Sequence, residues 1–213
     1  MLQRLLSPLL QWIPQDIRDL YYDHRASNEL TRWEKNGTRG VPVPHLIKQR
    51  IIERYRQQSG AKVLIETGTA FGAMVRAQLG KFERIHSVEL SEVLWRKAVA
   101  RFKDHGHVSI HQGDSGKVLA DLVPKLDATA LFFLDGHYSA GVTARGDVDC
   151  PIDAELASIL VSPYPHVLLI DDARLFVGRN DYPTLDALRE TILAKRPGSS
   201  FEVELDMIRV VLK

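Results

Sequence analysis

Five short apolar runs, at 63–65, 85–88, 108–110, 130–134 and 167–170, are each followed closely by a carboxylate. Glu66 follows the first, Glu89 the second, Asp114 the third, Asp135 the fourth and the pair Asp171-Asp172 the fifth. Carboxylates can accept hydrogen bonds from two vicinal hydroxyls. They can hold hard cations through oxygen. They can also move protons when burial tunes their pKa. One acidic residue after an apolar run says little, because loops are polar anyway. Recurrence after all five places acidic groups along one edge, provided the runs are parallel strands.

The first run leads into Glu66-Thr67-Gly68-Thr69-Ala70-Phe71-Gly72. Gly68 and Gly72 let the backbone bend tightly and approach a ligand. The dinucleotide fingerprint G-x-G-x-x-G is broken, because Ala70 stands where the second glycine makes room for a pyrophosphate. A ligand without a diphosphate fits better. Glu89 comes 23 residues after Glu66, near the roughly 20-residue offset of the acidic group that binds ribose hydroxyls. Adenosine without pyrophosphate points to S-adenosylmethionine. The bland alternative is a plain strand-to-helix turn.

Asp135, Asp171 and Asp172 follow runs that should be adjacent strands. Three converging carboxylates repel unless a proton or cation compensates. All-oxygen ligation suits Mg²⁺, Ca²⁺ or Mn²⁺. Otherwise one of the Asp pair caps a helix or pairs with Arg174 or Arg179. His137 stands two residues after Asp135. An imidazole with a pKa near 6.5 is a good general base at neutral pH, although a lone His is more often structural. His105, His107 and His111 span a loop and a strand and read as surface or core residues. The segment 138–151 exceeds the usual 2–6 residues of such loops. It reads as a substrate lid, with Tyr138, Thr143 and Arg145 as contacts, or else as a mobile surface loop.

Helical stretches lie between the apolar runs, at 72–79, 92–103, 117–122, 152–160 and 184–195. Strand–helix alternation with continuous apolar strands predicts a three-layer α/β fold, a mostly parallel sheet covered on both faces. The end differs: 201–205 and 208–212 alternate, with Asp206-Met207 between them and no room for a helix. That is a hairpin, so one antiparallel strand closes the sheet. A Gly/Pro-rich hinge at 36–44 separates an N-terminal helical arm, 1–44, from the main domain, 45–213. A helix at 45–58 opens that domain. The arm, with Tyr21, Tyr22 and Trp33, could cover the substrate pocket, pack on a partner chain or lie on a membrane surface. Its prolines favour packing on the core or on a second copy in a homodimer.

Composition narrows the class. The chain has 213 residues, 45% hydrophobic and 26% charged, ordinary values for a globular domain. Its 28 basic and 27 acidic residues nearly cancel, so no nucleic-acid partner is expected. Cys150 stands alone, which excludes a disulfide framework. No apolar run approaches the roughly 18 residues of a transmembrane segment. The apolar start at 1–13 is followed by no small-residue cleavage site, and a cytoplasmic protein is expected.

The stretch Val63-Leu64-Ile65-Glu66-Thr67-Gly68-Thr69-Ala70-Phe71-Gly72 resembles motif I of the class I S-adenosylmethionine-dependent methyltransferases. The resemblance covers about residues 45–213. It implies a Rossmann-like methyltransferase fold of seven strands in the order 3-2-1-4-5-7-6, with strand 7 antiparallel. It implies a cofactor site of Glu66, Gly68, Thr69, Gly72, Glu89, Asp114, Ser115 and Asp135. There Glu66 and Gly68 line the methionine end, Glu89 holds the ribose, and Asp114 and Ser115 sit at the adenine. The acidic trio is similar to that of metal-dependent O-methyltransferases of the macrocin, novobiocin and catechol types, whose plan the cephalosporin hydroxylase-like proteins share. The sugar O-methyltransferases among them place an Asp where His137 stands here.

The expected reaction is methyl transfer from S-adenosylmethionine to a small hydroxylated acceptor, with a sugar fitting better than a flat apolar molecule. Magnesium held by Asp135, Asp171 and Asp172 would bind the acceptor oxygen, and His137, with Asp135 beside it, would take the proton. Competing readings are a metal-independent methyltransferase, an iron enzyme like the cephalosporin hydroxylases, and a non-catalytic cofactor-binding scaffold. A nicotinamide-dependent dehydrogenase ranks last, for want of the second fingerprint glycine.

Overall fold

A computed structural model of the chain describes residues 15–38, 40–136 and 150–213. The chain divides into two compact units, Met1–Arg50 and Ile51–Lys213. The first carries helix α1, Gln15–Lys35. Trp33 Nε1 donates to the Gly40 carbonyl at 3.0 Å and folds the hinge back on the end of that helix. Helix α2, His45–Ser59, runs from the first unit into the second, where Ile51, Ile52 and Tyr55 are buried. No helix among the described residues is long and apolar enough to cross a membrane.

The second unit is built on one sheet. Its strands are β1 Val63–Thr67, β2 Arg84–Glu89, β3 Val108–Gln112, β4 Ala130–Leu134, β5 Val167–Ile170, β6 Ser200–Glu204 and β7 Met207–Val211. Between them run α3 Ala73–Gln78, α4 Glu92–Phe102, α5 Ser115–Leu122, α6 Ile152–Ile159 and α7 Leu185–Lys195. The order is β3-β2-β1-β4-β5-β7-β6. The pairs β1–β2, β1–β4, β2–β3 and β4–β5 are parallel. Only β7 runs against its neighbours, β5 and β6. This is the predicted order, with the predicted antiparallel strand.

Burial explains the strand sequences. Every residue of β1, β4 and β5 is buried, because helices cover both faces of a central parallel strand. On one face Val63, Ile65, Phe132, Leu134, Leu168, Ile170, Ile208 and Val210 pack with Leu119, Leu156, Leu188 and Ile192. Each such side chain contributes roughly 1.5–3 kcal/mol when removed from water. The outer strand β6 is largely exposed and carries Glu202 and Glu204, charges that blunt an open edge. His166 ties the start of β4 to the approach to β5. Its Nδ1 accepts the Ala130 N–H at 3.0 Å, so its Nε2 donates to Ser162 Oγ at 2.7 Å. Burial pushes this imidazole down to about 4, helped by Arg196.

The closing hairpin differs from expectation by one residue. The turn is Leu205-Asp206, with φ of 52° and 56°, not Asp206-Met207. Two positive φ values fit the right-handed twist of a two-residue hairpin, but a leucine there is unusual. The far side of the turn is anchored: Asp206 accepts the Ala173 N–H at 2.9 Å through its carbonyl and the Arg174 N–H at 2.9 Å through its carboxylate.

Candidate functional site

In an open α/β sheet the ligand crevice forms beyond the carboxyl ends of the strands where strand order reverses. Here that point lies between β1 and β4. The glycine turn leaves β1 there. Gly68 has φ of +91°, and a Cβ on it would lie 2.4 Å from the Asp135 carbonyl. Only glycine lets the turn lie against the end of β4. Gly72, at φ +71°, is packed against the Phe102 ring and starts α3.

Glu66 and Thr69 meet over β2. Ser87 Oγ donates to Glu66 Oε2 at 2.5 Å and lies 2.6 Å from Thr69 Oγ1. Glu66 is 2% exposed. Burial pushes its carboxyl up to about 8, against the Ser87 hydrogen bond, and the charge of Glu89 adds to the rise. Glu89 ends β2 and accepts two backbone donors, the Ala70 N–H at 2.7 Å and the Ser91 N–H at 2.8 Å. It therefore fixes the glycine turn and the start of α4 together. Each carboxylate oxygen keeps a further lone pair for a ligand.

Asp114 caps α5, its Oδ1 accepting the Lys117 N–H at 3.0 Å, and Ser115 follows at the first helical position. The Asp135 N–H donates to the Thr67 carbonyl at 3.1 Å, and the Asp171 N–H to Leu134 at 3.0 Å. The β1, β4 and β5 ends are thus held level. Glu66, Glu89, Asp114 and Asp135 stand at or next to the ends of the four strands β1 to β4. Carboxyl oxygens so placed can accept hydrogen bonds from the hydroxyl or amino groups of a ligand.

Of the acidic trio, Asp172 is ion-paired to an arginine, one of the alternatives to metal ligation. Asp172 sits at φ 55° and pairs with Arg174 at 2.7 Å. The same guanidinium bonds Asp206 of the hairpin turn. Asp171 is buried at 1% exposure. Among the described residues no three His, Cys, Asp or Glu side chains are grouped to hold a metal ion. As placed, Asp172 is compensated by an arginine and is not free to ligate a cation.

His137, Tyr138, Thr143 and Arg145 lie outside the described residues. Among the other histidines, His111 stands 3.1 Å from His86, ring nitrogen to ring nitrogen, and His107 Nε2 lies 2.9 Å from the Leu79 carbonyl oxygen. Burial pushes His86 down to about 4, and His111 likewise falls.

One residue at this edge was missed. Glu155 lies on α6, 2% exposed. Burial pushes its carboxyl up to about 7; the Ser115 and Thr67 hydroxyls act against the rise and Asp114 adds to it. The sequence held a signal. Ile152, Glu155, Leu156 and Ile159 recur at the spacing of one helical face, so an acid stands on the buried stripe.

No family model matches the chain, and no curated protein matches it in sequence. Solved structures do match it in shape. The O-methyltransferase TomG from Streptomyces achromogenes, involved in tomaymycin synthesis and complexed with SAM, aligns with a TM-score of 0.57 at 16% identity, over 94% of this chain and 99% of that one. An O-methyltransferase from Bacillus cereus, complexed with SAH, aligns at 0.58 and 15%, over 99% and 96%. The fold is that of the Rossmann-like methyltransferases. The SAH-bound Podospora anserina methyltransferase PaMTH1 shares it at a TM-score of 0.54 and 16% identity, over 94% and 97% of the two chains. At these identities the likeness is one of fold, and the chemistry has to be argued from the site.

Proposed function

We propose that the chain is an S-adenosylmethionine-dependent O-methyltransferase acting on a small hydroxylated acceptor. The observation that carries this reading is the contact between Glu89 and Ala70. An acid at the end of β2 closes a glycine turn at the end of β1, beside the reversal in strand order. Such a turn would serve as the floor of a site for a nucleoside without a diphosphate.

S-adenosylmethionine would supply a methyl group on a sulfonium, ready for attack by oxygen. Glu89 would hold the ribose through its remaining lone pairs. Glu66, Gly68, Thr69 and Gly72 would line the methionine end, and Asp114 with Ser115 the adenine. The chain's main task is alignment of nucleophile, methyl and sulfur, because proximity supplies much of the rate in such a transfer. His137 would accept the acceptor's proton at one ring nitrogen, with Asp135 two residues before it. Tyr138, Thr143 and Arg145 would contact the acceptor. Arg174 holds Asp172 beside this edge.

Calorimetric titration of S-adenosylmethionine into the chelator-treated protein tests the reading. Saturable binding that Glu89→Ala removes is the expected result, followed by a screen of sugars and other polyols for methyl transfer. Absence of binding to the wild-type protein overturns it.

A further inference from the structure

Two buried oxygens at the end of β1 are left unsatisfied. Thr67 Oγ1 and Glu155 Oε1 make no hydrogen bond of good length and angle, although the Thr67 hydroxyl lies near enough to the carboxyl to lower its pKa. Thr67 is fully buried and Glu155 nearly so. They share one place. A Cβ built on Gly136 would lie 3.0 Å from Thr67 Oγ1 and 3.3 Å from Glu155 Oε1. The place is beside the backbone that leaves β4, on the same edge as the glycine turn. Leaving a buried polar atom without a partner costs about 1–3 kcal/mol. A valine and a leucine of similar volume would avoid that cost in a purely structural core. Orphaned buried groups in a folded protein call for an explanation, and a missing ligand is one.

We propose that Thr67 Oγ1 and Glu155 Oε1 form a subsite that takes a hydrogen-bond donor, a hydroxyl or amino group, of the cofactor bound across the ends of β1 and β4. The inference rests on the S-adenosylmethionine reading above and adds to it a pair outside the site residues named there, the last residue of β1 and an acid on α6. Asp114 and Ser115 face the carboxyl from α5. Cys150 lies near it from the approach to α6, its thiol pushed up to about 12 by burial and so neutral.

A proton follows from the geometry. In the free protein burial keeps Glu155 protonated up to about pH 7. A donor docked on Oε1 favours the carboxylate, so the carboxyl proton leaves to solvent as the ligand binds. Affinity then rises with pH below about 7 and levels above it, where the free protein has already lost that proton.

The test is calorimetric titration of S-adenosylhomocysteine between about pH 6 and pH 8, in two buffers of different ionisation heat. The wild-type protein is expected to release part of a proton near pH 6, with affinity rising by up to about tenfold per unit below pH 7. Glu155→Gln is expected to bind at least about tenfold more weakly at pH 8 and to lose the proton release, as one hydrogen bond to a charged group is worth that much. Thr67→Val is expected to weaken binding while the melting temperature of the free protein holds or rises. A merely structural Thr67 would lower the melting temperature and leave binding alone. Variants that bind with wild-type affinity and an unchanged pH profile overturn the subsite. Failure of the wild-type protein to bind at all overturns the cofactor reading itself.

Discussion

The Glu89 carboxylate accepts the Ala70 N–H at 2.7 Å, joining the end of one strand to the turn that leaves its neighbour. A side chain expected to hold a sugar is therefore also the clamp that shapes the pocket. Glu89→Gln keeps one acceptor oxygen and turns an amide NH₂ toward a backbone donor. It is expected to cost about 1–3 kcal/mol of stability in urea denaturation and to weaken S-adenosylmethionine binding at least about tenfold, a loss that equals roughly 1.4 kcal/mol.

The two glycines Gly68 and Gly60 separate conformational strain from close packing. Both have positive φ, but a Cβ on Gly60 meets nothing within 4 Å. Gly60→Ala should cost about 1–2 kcal/mol, the penalty of the left-handed region alone. Gly68→Ala must also displace the Asp135 carbonyl. It should cost clearly more and abolish cofactor binding, as read by denaturation and calorimetry on the same samples.

Burial holds Glu66 neutral, and stability depends on pH accordingly. Its folded pKa, about 8, lies above the ordinary value of 4.5. Between those values the unfolded chain has shed a proton that the folded chain keeps. Stability therefore falls as pH rises through this window, by about 1.4 kcal/mol per unit at most. Glu66→Gln is expected to flatten the slope above pH 5 in melting curves. His166 acts with the opposite sign. Its folded pKa of about 4 lies below 6.5, so its contribution is present above 6.5 and is lost as pH falls toward 4.

Arg174 competes with any cation for Asp172. The wild-type protein is expected to show no saturable heat with Mg²⁺, and chelation should leave S-adenosylhomocysteine binding unchanged. Arg174→Ala frees Asp172 and Asp206. If it gains Mg²⁺ binding in calorimetry, the arginine has been standing in for the cation.

The fold was legible because burial writes itself directly into composition. Strands covered on both faces, such as β4 with its sequence Ala-Leu-Phe-Phe-Leu, leave few other readings. The hairpin turn was displaced by one residue because Leu205 carries no turn signal. What lets it adopt positive φ is Asp206, anchored to Ala173 and Arg174 far away in sequence. The same arginine pairs with Asp172, one of the alternatives to metal ligation that the sequence offered. Glu155 was not legible from the strand ends, because it stands on the buried face of a helix. Its apolar neighbours had marked it. The roles given to His137, Tyr138, Thr143 and Arg145 stand on the sequence alone.

The strand order also governs how the molecule comes together as it is made. β1 pairs with β2 at once, Val63 beside Arg84, but its other neighbour is β4, with Val63 beside Ala130. While β4 is still in the ribosome, a strand that is fully buried in the folded protein presents a bare edge of unpaired amides, a template for any extended chain nearby. The first residues of β4 close that edge. The same geometry makes the protein divisible: pieces parted in the loop at 127–129 carry complementary open edges, β1 on one and β4 on the other, and the crevice exists only once the two have been zipped together.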